Sequence, residues 1–261
     1  MSSAPDLDLE FVTLAERPEL LQHVNSFPDD NVAEFLYHDA VSTALFVELI
    51  ERHPEFTIMA LERTTETATA TPVAMTCTMP FTGTDEALPP GGYDAVLLSA
   101  AADTLSGRRG MMVAALFAVV QPALRGRGIS PRLLAAARDN SARLGYTVLV
   151  VPARPTRKHE HPHVPMHEYV TWTRPDGLPV DPWLRVHVRA GGEIVGVASH
   201  SMRITGTLDE WRRWTGLPFA DSGPVYVPGG LVAVQCDPVA DVATYIEPNV
   251  WVRHHLDSPR E

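Results

Sequence analysis

Two cysteines, Cys77 and Cys236, are all that 261 residues contain. That is too few for a disulfide framework, and their separation excludes the closely spaced thiol pairs of a zinc site; both read as buried thiols. Basic residues are scarce as well, 21 lysines and arginines against 32 aspartates and glutamates, for a formal net charge of −11. This balance lacks the extended positive footprint that sequence-independent nucleic-acid binding requires, so no nucleic acid is expected as a partner. No uninterrupted apolar stretch is long enough to cross a bilayer, and the opening MSSAPDLDLE is acidic, with neither the basic nor the apolar region of a secretory leader. The expectation is a cytoplasmic protein that engages no membrane. Internal repeats and low-complexity tracts are also missing. Without a linker, and with 45% apolar residues, the chain is expected to form one domain over residues 1–261.

What is present alternates between strand and helix signals. Leu7 to Leu14 predicts a strand, and Pro18 to His53 helical material interrupted at SFPDDN, where Asp29 or Asp30 would cap a second helix. In that helix Val32, Phe35, Leu36, Leu45, Phe46 and Leu49 recur at helical spacing and predict core. Phe56 to Glu62 and Val73 to Pro80 predict a hairpin around an exposed threonine-rich loop, and Tyr93 to Leu105 a helix. MMVAALFAVV, Met111 to Val120, is continuously apolar, as in a strand buried on both faces. Pro122 ends it. Beyond, Leu133, Leu134, Ala137 and Leu144 mark one helix face, Gly145 stops that helix, and Tyr146 to Val151 predicts another strand. The last third predicts a short helix in DPWLRVHVRAGG, a strand in EIVGVASHSMRI, a helix from Thr207 to Gly216 and a strand in PGGLVAVQCDP.

The turn between the central strand and helix holds Arg125, Gly126, Arg127, Gly128, Ile129 and Ser130, a basic island in an acidic chain. A helix N-terminus offers unpaired amides and about half a positive charge to an anion. Glycines let the main chain come close, and arginines screen a polyanion. The turn is not a GxxxxGK[ST] loop, and it lacks the third glycine of a dinucleotide fingerprint.

Val120-Gln121-Pro122 followed by Arg125-Gly126-Arg127-Gly128-Ile129-Ser130 resembles the V-x-P-x-x-[RQ]-G-x-G-[IL]-[GA] acyl-CoA pyrophosphate loop of the GCN5-related N-acetyltransferase (GNAT) superfamily. The resemblance spans about Met111 to Val151, and Ser130 departs from the usual Gly or Ala. It implies an α/β fold of GNAT type, a mixed, mostly antiparallel sheet flanked by helices, with residues 152–261 as an acceptor-side elaboration that shapes a pocket or a dimer contact. It also implies a strand that splays from its neighbour. Ala118, Val119 and Val120 would then pair with pantetheine and Arg125 to Ser130 with the pyrophosphate. The implied co-substrate is acetyl-CoA or another acyl-CoA.

The implied reaction is direct attack of a small-molecule amine on the thioester, which needs a free amine, an oxyanion donor and a proton for the departing thiolate. The family often carries a carboxylate base on the central strand; Met111 to Val120 has none. It also often carries a tyrosine acid four residues before a Gly-Phe pair, and here His187 stands four residues before Gly191-Gly192. Glu247 alternates with Asn249 and Trp251 on a strand-like run, either as the missing base or as a surface carboxylate. His159, His161, His163 and His167 with Glu168 invite a metal reading, but Pro162 and Pro165 break the extended geometry it needs, so no metal is expected. Glu168 and Tyr169 are weaker candidates for acceptor contacts, and Trp211 and Trp214, three apart on a helix, read as packing. The reading is an acyl-CoA-dependent N-acyltransferase. A non-catalytic acyl-CoA-binding module, decarboxylation, and transfer to a carrier protein remain as alternatives.

Overall fold

The alternating and continuous apolar runs become strands, and the order of elements follows the sequence. The computed structural model describes residues 7–27, 32–63 and 72–256. In chain order they form β1 (Leu9–Thr13), α1 (Ala40–Arg52), β2 (Thr57–Glu62), β3 (Pro72–Phe81), α2 (Gly92–Leu105), β4 (Met112–Val120), α3 (Ile129–Arg143), β5 (Val148–Ala153), α4 (Met166–Tyr169), α5 (Pro182–Arg189), β6 (Glu193–Gly206), α6 (Leu208–Thr215), β7 (Gly223–Val225), β8 (Val234–Asp237) and β9 (Val242–His255). The strands join in one sheet in the order β1-β2-β3-β4-β5-β9-β8-β7, with β6 on the other side of β9. Every pairing is antiparallel except β4 with β5. This is the expected mixed, mostly antiparallel α/β sheet.

Helices cover both faces. On one, α1 and α2 pack over Met75, Cys77, Met79, Ala114, Val150 and Trp251. On the other, α3 buries Ile129 and Leu133 against Ala60, Ala74 and Val120, while Val186 of α5 and its C-cap Ala190 pack with Val113, Leu134 and Leu149. A third cluster around Trp211, Phe35 and Tyr245 holds α6 to the far end of β9. There Thr207 and Glu210 form a reciprocal N-terminal cap, and Gly216 ends the helix at φ +72°.

Several expectations are corrected. Val32 to Leu49 is not one helix. Glu34–His38 is a separate 3-10 turn and α1 starts only after Asp39, whose side chain accepts from Ser42 N at 2.6 Å. Phe35 and Leu36 therefore enter the Trp211 cluster, while Leu45, Phe46 and Leu49 face the main core. Asp29, Asp30 and most of the threonine-rich loop lie outside the described residues. Of PGGLVAVQCDP only Val234 onward is strand; Gly229, at φ +78°, sits in a preceding turn. Finally, β4 is not buried on both faces throughout. Ala115, Leu116 and Phe117 are half-buried and Ala118 is exposed, and this gap marks the candidate site.

Candidate active site

The gap follows from strand pairing. β4 bonds to β5 only through Val113–Leu149 and Ala114–Val150, after which β5 continues along β9 to Ala153–Val250. The β4 edge beyond Ala114 is thus left without a β5 partner. Opposite, β4 stays paired to β3, but the register slips so that Cys77 faces Phe117 and Thr78 faces Ala115, and Leu116 bulges out. Thr76 Oγ1 donates to Phe117 O at 2.9 Å and Gln121 Nε2 to Pro72 O at 2.8 Å, which pins the strand to β3 on either side of the exposed Ala118. The result is a wedge whose β4 wall from Ala115 to Val120 lacks a β5 partner, with alternate main-chain groups turned toward the opening.

At the end of that wall the chain turns into α3. Gly126 and Gly128 take φ of +78° and +76°, where other residues are strained. Gly128 is the N-cap of α3, and no side chain caps the helix. A Cβ built at either glycine meets nothing within 4 Å, so the space in front of the first helical turn is open. Ile129 is buried beneath, while Arg125, Arg127 and Ser130 are partly exposed. An exposed helix N-terminus with close-approach glycines and two flanking arginines fits a diphosphate.

The α1–α2 side of the wedge carries a polar line on an apolar floor. Leu116, Phe117, Phe46 and Tyr93 pack into the cluster that contains Trp251. Tyr93 N donates to Ser201 Oγ (2.9 Å), Ser201 Oγ to Asn249 Oδ1 (2.5 Å), and Asn249 Nδ2 to Glu247 Oε1 (3.1 Å). Glu247 is 0% exposed. It also accepts from Tyr245 OH (2.8 Å) and from Arg154 Nε, 3.0 Å to each oxygen. Glu247, read from the sequence as either a base or a surface carboxylate, is thus not on the surface but buried and ion-paired. Arg154, the first residue after β5, sends Nη2 to Gly229 O at 2.6 Å. Four residues on, Lys158 is wholly buried and donates to His161 O (2.9 Å) and Leu231 O (2.7 Å); burial lowers its pKa to about 8. Two cations thus tie the loop after β5 to the loop before β8.

Two further carboxyls meet where α1 and α2 begin. Asp39 is 0% exposed, and its Oδ1 is taken by Ser42 N. Asp94 accepts from Arg203 N at 3.1 Å through Oδ2. Asp39 Oδ2 and Asp94 Oδ1 are buried without a hydrogen-bond donor. Burial, with the Asp39 charge beside it, raises Asp94 to about 7; burial also raises Asp39.

His187 does not share this side. Strand alternation places Glu247, Asn249 and Trp251 on one face of β9 and His254 on the other, and His187 bonds to His254, Nδ1 to Nε2 at 3.0 Å. His187 is 1% exposed and Trp183 packs across it. Burial holds His187 down at about 3, with His254 adding to the effect, and His254 at about 4, with Arg138 adding. The structure therefore does not bring His187 and Glu247 together. Imidazole ¹⁵N shifts at pH 5 should show both His187 and His254 neutral; charged rings at that pH would contradict the burial.

The histidine loop does not converge either. His161 packs on Trp172 and His163 on Tyr226, and among the described residues no group of three His, Cys, Asp or Glu is placed to hold a metal. Tyr169 is buried and donates to Asp181 Oδ2 at 3.1 Å, while Glu168 is exposed. Both cysteines are buried free thiols. No described helix is long and apolar enough to cross a membrane. Sequence reasoning missed Asp39, Asp94, Arg154, Lys158 and His254. Only Asp39 carried a local signal, as an acceptor three residues ahead of Ser42 at the start of an amphipathic run.

The chain is 34% identical, over 94% of its own length and 93% of the other's, to the arginine N-acetyltransferase avaD of Aspergillus versicolor. Among solved structures it resembles the loading GNATL domain of CurA from Lyngbya majuscula, with a TM-score of 0.58 at 15% identity, covering 96% of this chain and 98% of that one. The GphF GNAT-like decarboxylase in complex with isobutyryl-CoA gives a TM-score of 0.48 at 18% identity over 96% and 100% of the two chains. No protein-family model matches the chain.

Proposed function

Since the chain belongs to the GNAT superfamily and is an acyl-CoA-dependent N-acyltransferase of small-molecule amines, we propose that its acceptor is arginine or a close guanidino relative and its donor acetyl-CoA. The observation that carries the acceptor is the 34% identity to an arginine N-acetyltransferase, which runs over almost the full length of both chains and so includes the loops that frame the wedge. The same observation favours turnover over mere acyl-CoA binding.

In this reading the Arg125–Ser130 turn holds the pyrophosphate. The free β4 edge through Ala118, Val119 and Val120 pairs with pantetheine as a strand edge would. The thioester then lies near the Leu116 bulge, where a β4 amide without a β5 partner can donate to the oxyanion. The acceptor enters from the α1–α2 side. Glu247, its oxygens already taken by Arg154, Tyr245 and Asn249, orients this wall through Asn249 and Ser201 and serves as a positioning residue. His187 and His254 hold α5 against the sheet, and residues 152–256 shape the acceptor side of one domain.

Thiol release from acetyl-CoA, followed with arginine, agmatine, lysine, polyamines and citrulline, tests the acceptor. Arginine or another guanidino amine should give a kcat/KM at least about 10-fold above the amines that lack the group, as expected when a site is built around a buried polar partner. Equal rates across the panel would remove guanidine selectivity from the reading.

A further inference from the structure

Two carboxyls side by side in a protein interior normally have a cation or a set of donors between them, because like charges cannot both remain ionised there. Asp39 and Asp94 lack one. Neither forms an ion pair among the described residues, and the one oxygen on each that is not taken by a main-chain amide faces no donor. The elements packed around them supply no basic side chain to either carboxyl. α1 gives the Val41 and Ser42 amides, α2 gives Asp94 itself and the Tyr93 hydroxyl, β6 gives the Arg203 amide, and β9 gives another carboxylate, Glu247. Burial, which raises both carboxyls, and the Asp39 charge, which adds to it at Asp94, therefore favour a proton shared by the pair. Asp39 is fully buried and Asp94 half-buried, with its donor-free Oδ1 closed to solvent, so a ligand has to part this contact to reach the pair. Beside Asp94, Tyr93 bonds to Ser42 at 3.2 Å and packs against the same core cluster as Leu116 and Phe117.

We propose that the Asp39–Asp94 pair is the receptor for the cationic guanidinium of the acceptor, which displaces the shared proton as it binds. This rests on the guanidino acceptor proposed above. A guanidinium presents a planar fork of donors to carboxylate oxygens, and the pair offers two oxygens without donors, one on each residue. The proton leaves to solvent, so the net charge of the loaded pair equals that of the empty one. Asp94 makes the outer contact and Asp39, locked as the cap of α1, stands behind it. Guanidinium binding thereby also fastens the N-termini of α1 and α2 to each other and to β6.

Calorimetry on the coenzyme A-loaded protein at pH 6.5, in buffers of different ionisation enthalpy, measures the displaced proton directly. Arginine binding should release about half a proton or more, and citrulline, its uncharged analogue, none. Asp94→Asn should abolish the release and weaken arginine by about 10–100-fold, with citrulline little changed. The variant is expected to fold. A raised carboxyl gives the folded chain no gain from ionisation, so wild-type stability falls as pH rises from near 4 through about 7. Asparagine never ionises, and the variant should match the wild type near pH 4 and melt about 3 °C higher at pH 8. Arginine binding without proton exchange, or undiminished in Asp94→Asn, overturns the inference while leaving arginine as acceptor. Should another cationic amine prove to be the acceptor instead, the same titration with that amine decides. Its release of a proton upholds the receptor, and release-free binding removes it.

Discussion

Replacing Gly128 with aspartate is expected to weaken coenzyme A binding by at least about 100-fold, a loss near 3 kcal/mol, without unfolding the protein. The substitution separates two roles of one position. For the fold, Gly128 is the N-cap of α3, where aspartate is among the preferred residues because its carboxylate accepts from the first-turn amides and complements the helix dipole. A Cβ there meets nothing within 4 Å, and the positive φ of 76° costs aspartate about 1 kcal/mol, of the same order as the cap's gain. For the ligand, that cap is the damage. The carboxylate occupies the amides a diphosphate would use and sets a negative charge against two more. Titration calorimetry with coenzyme A, paired with a melting curve, reads both roles. Wild-type affinity in a variant that melts normally would show that the turn does not hold the pyrophosphate. Gly128→Ala adds no charge and no competing acceptor, and should fall in between.

How far such a site is legible in the chain depends on the sequence distance over which its parts meet. The strand, glycine turn and helix from Met112 to Arg143 are written locally, as an apolar run, two glycines that φ requires, and a 3.6-residue stripe, and the structure follows them closely. The wedge itself was visible only through the family resemblance, because an apolar MMVAALFAVV reads the same whether or not a neighbouring strand stays beside it. What opens Ala115 to Ala118 is the departure of β5 toward β9, a partner some 100 residues later. The helix before β2 was misread because a 3-10 turn at Glu34–His38 nearly preserves helical spacing across the break at Asp39. His187 was found by its distance from Gly191-Gly192, but its environment is set by His254, 67 residues away. Glu247 was found by alternation, yet its state depends on Arg154, 93 residues away. The residues assigned to the proposed acceptor side are polar groups whose partners are largely long-range, and beyond the Asp39 cap no local pattern reports them.

The Arg154–Glu247 contact should give the largest stability loss of any single substitution near the site. Arg154→Met removes the guanidinium and leaves Glu247, with no exposure to solvent, as a charge held only by a tyrosine and an asparagine. Breaking a buried pair from one side costs about 3–5 kcal/mol, which for a chain of this size lowers Tm by roughly 10 °C. The double variant Arg154→Met/Glu247→Gln removes both charges, and should recover more than half of that loss because the penalty lies in the orphaned carboxylate, not in the missing attraction. Arg154→Lys tests the geometry separately. A lysine keeps the charge, but as a point donor it cannot span both Glu247 oxygens and the Gly229 carbonyl as the fork does, so it should lose about 1–2 kcal/mol. If Arg154→Met instead costs under about 1 kcal/mol in a denaturant titration, the pair behaves as a solvated surface bridge. The loop at Gly229 would then have to be held by Lys158 and by the Leu231 amide donating to Tyr245 OH. The order Met, then Lys, then the wild type identifies a wall of the proposed acceptor site built around a buried charge, where the Arg154 fork and Lys158 together join the loop after β5 to the loop before β8.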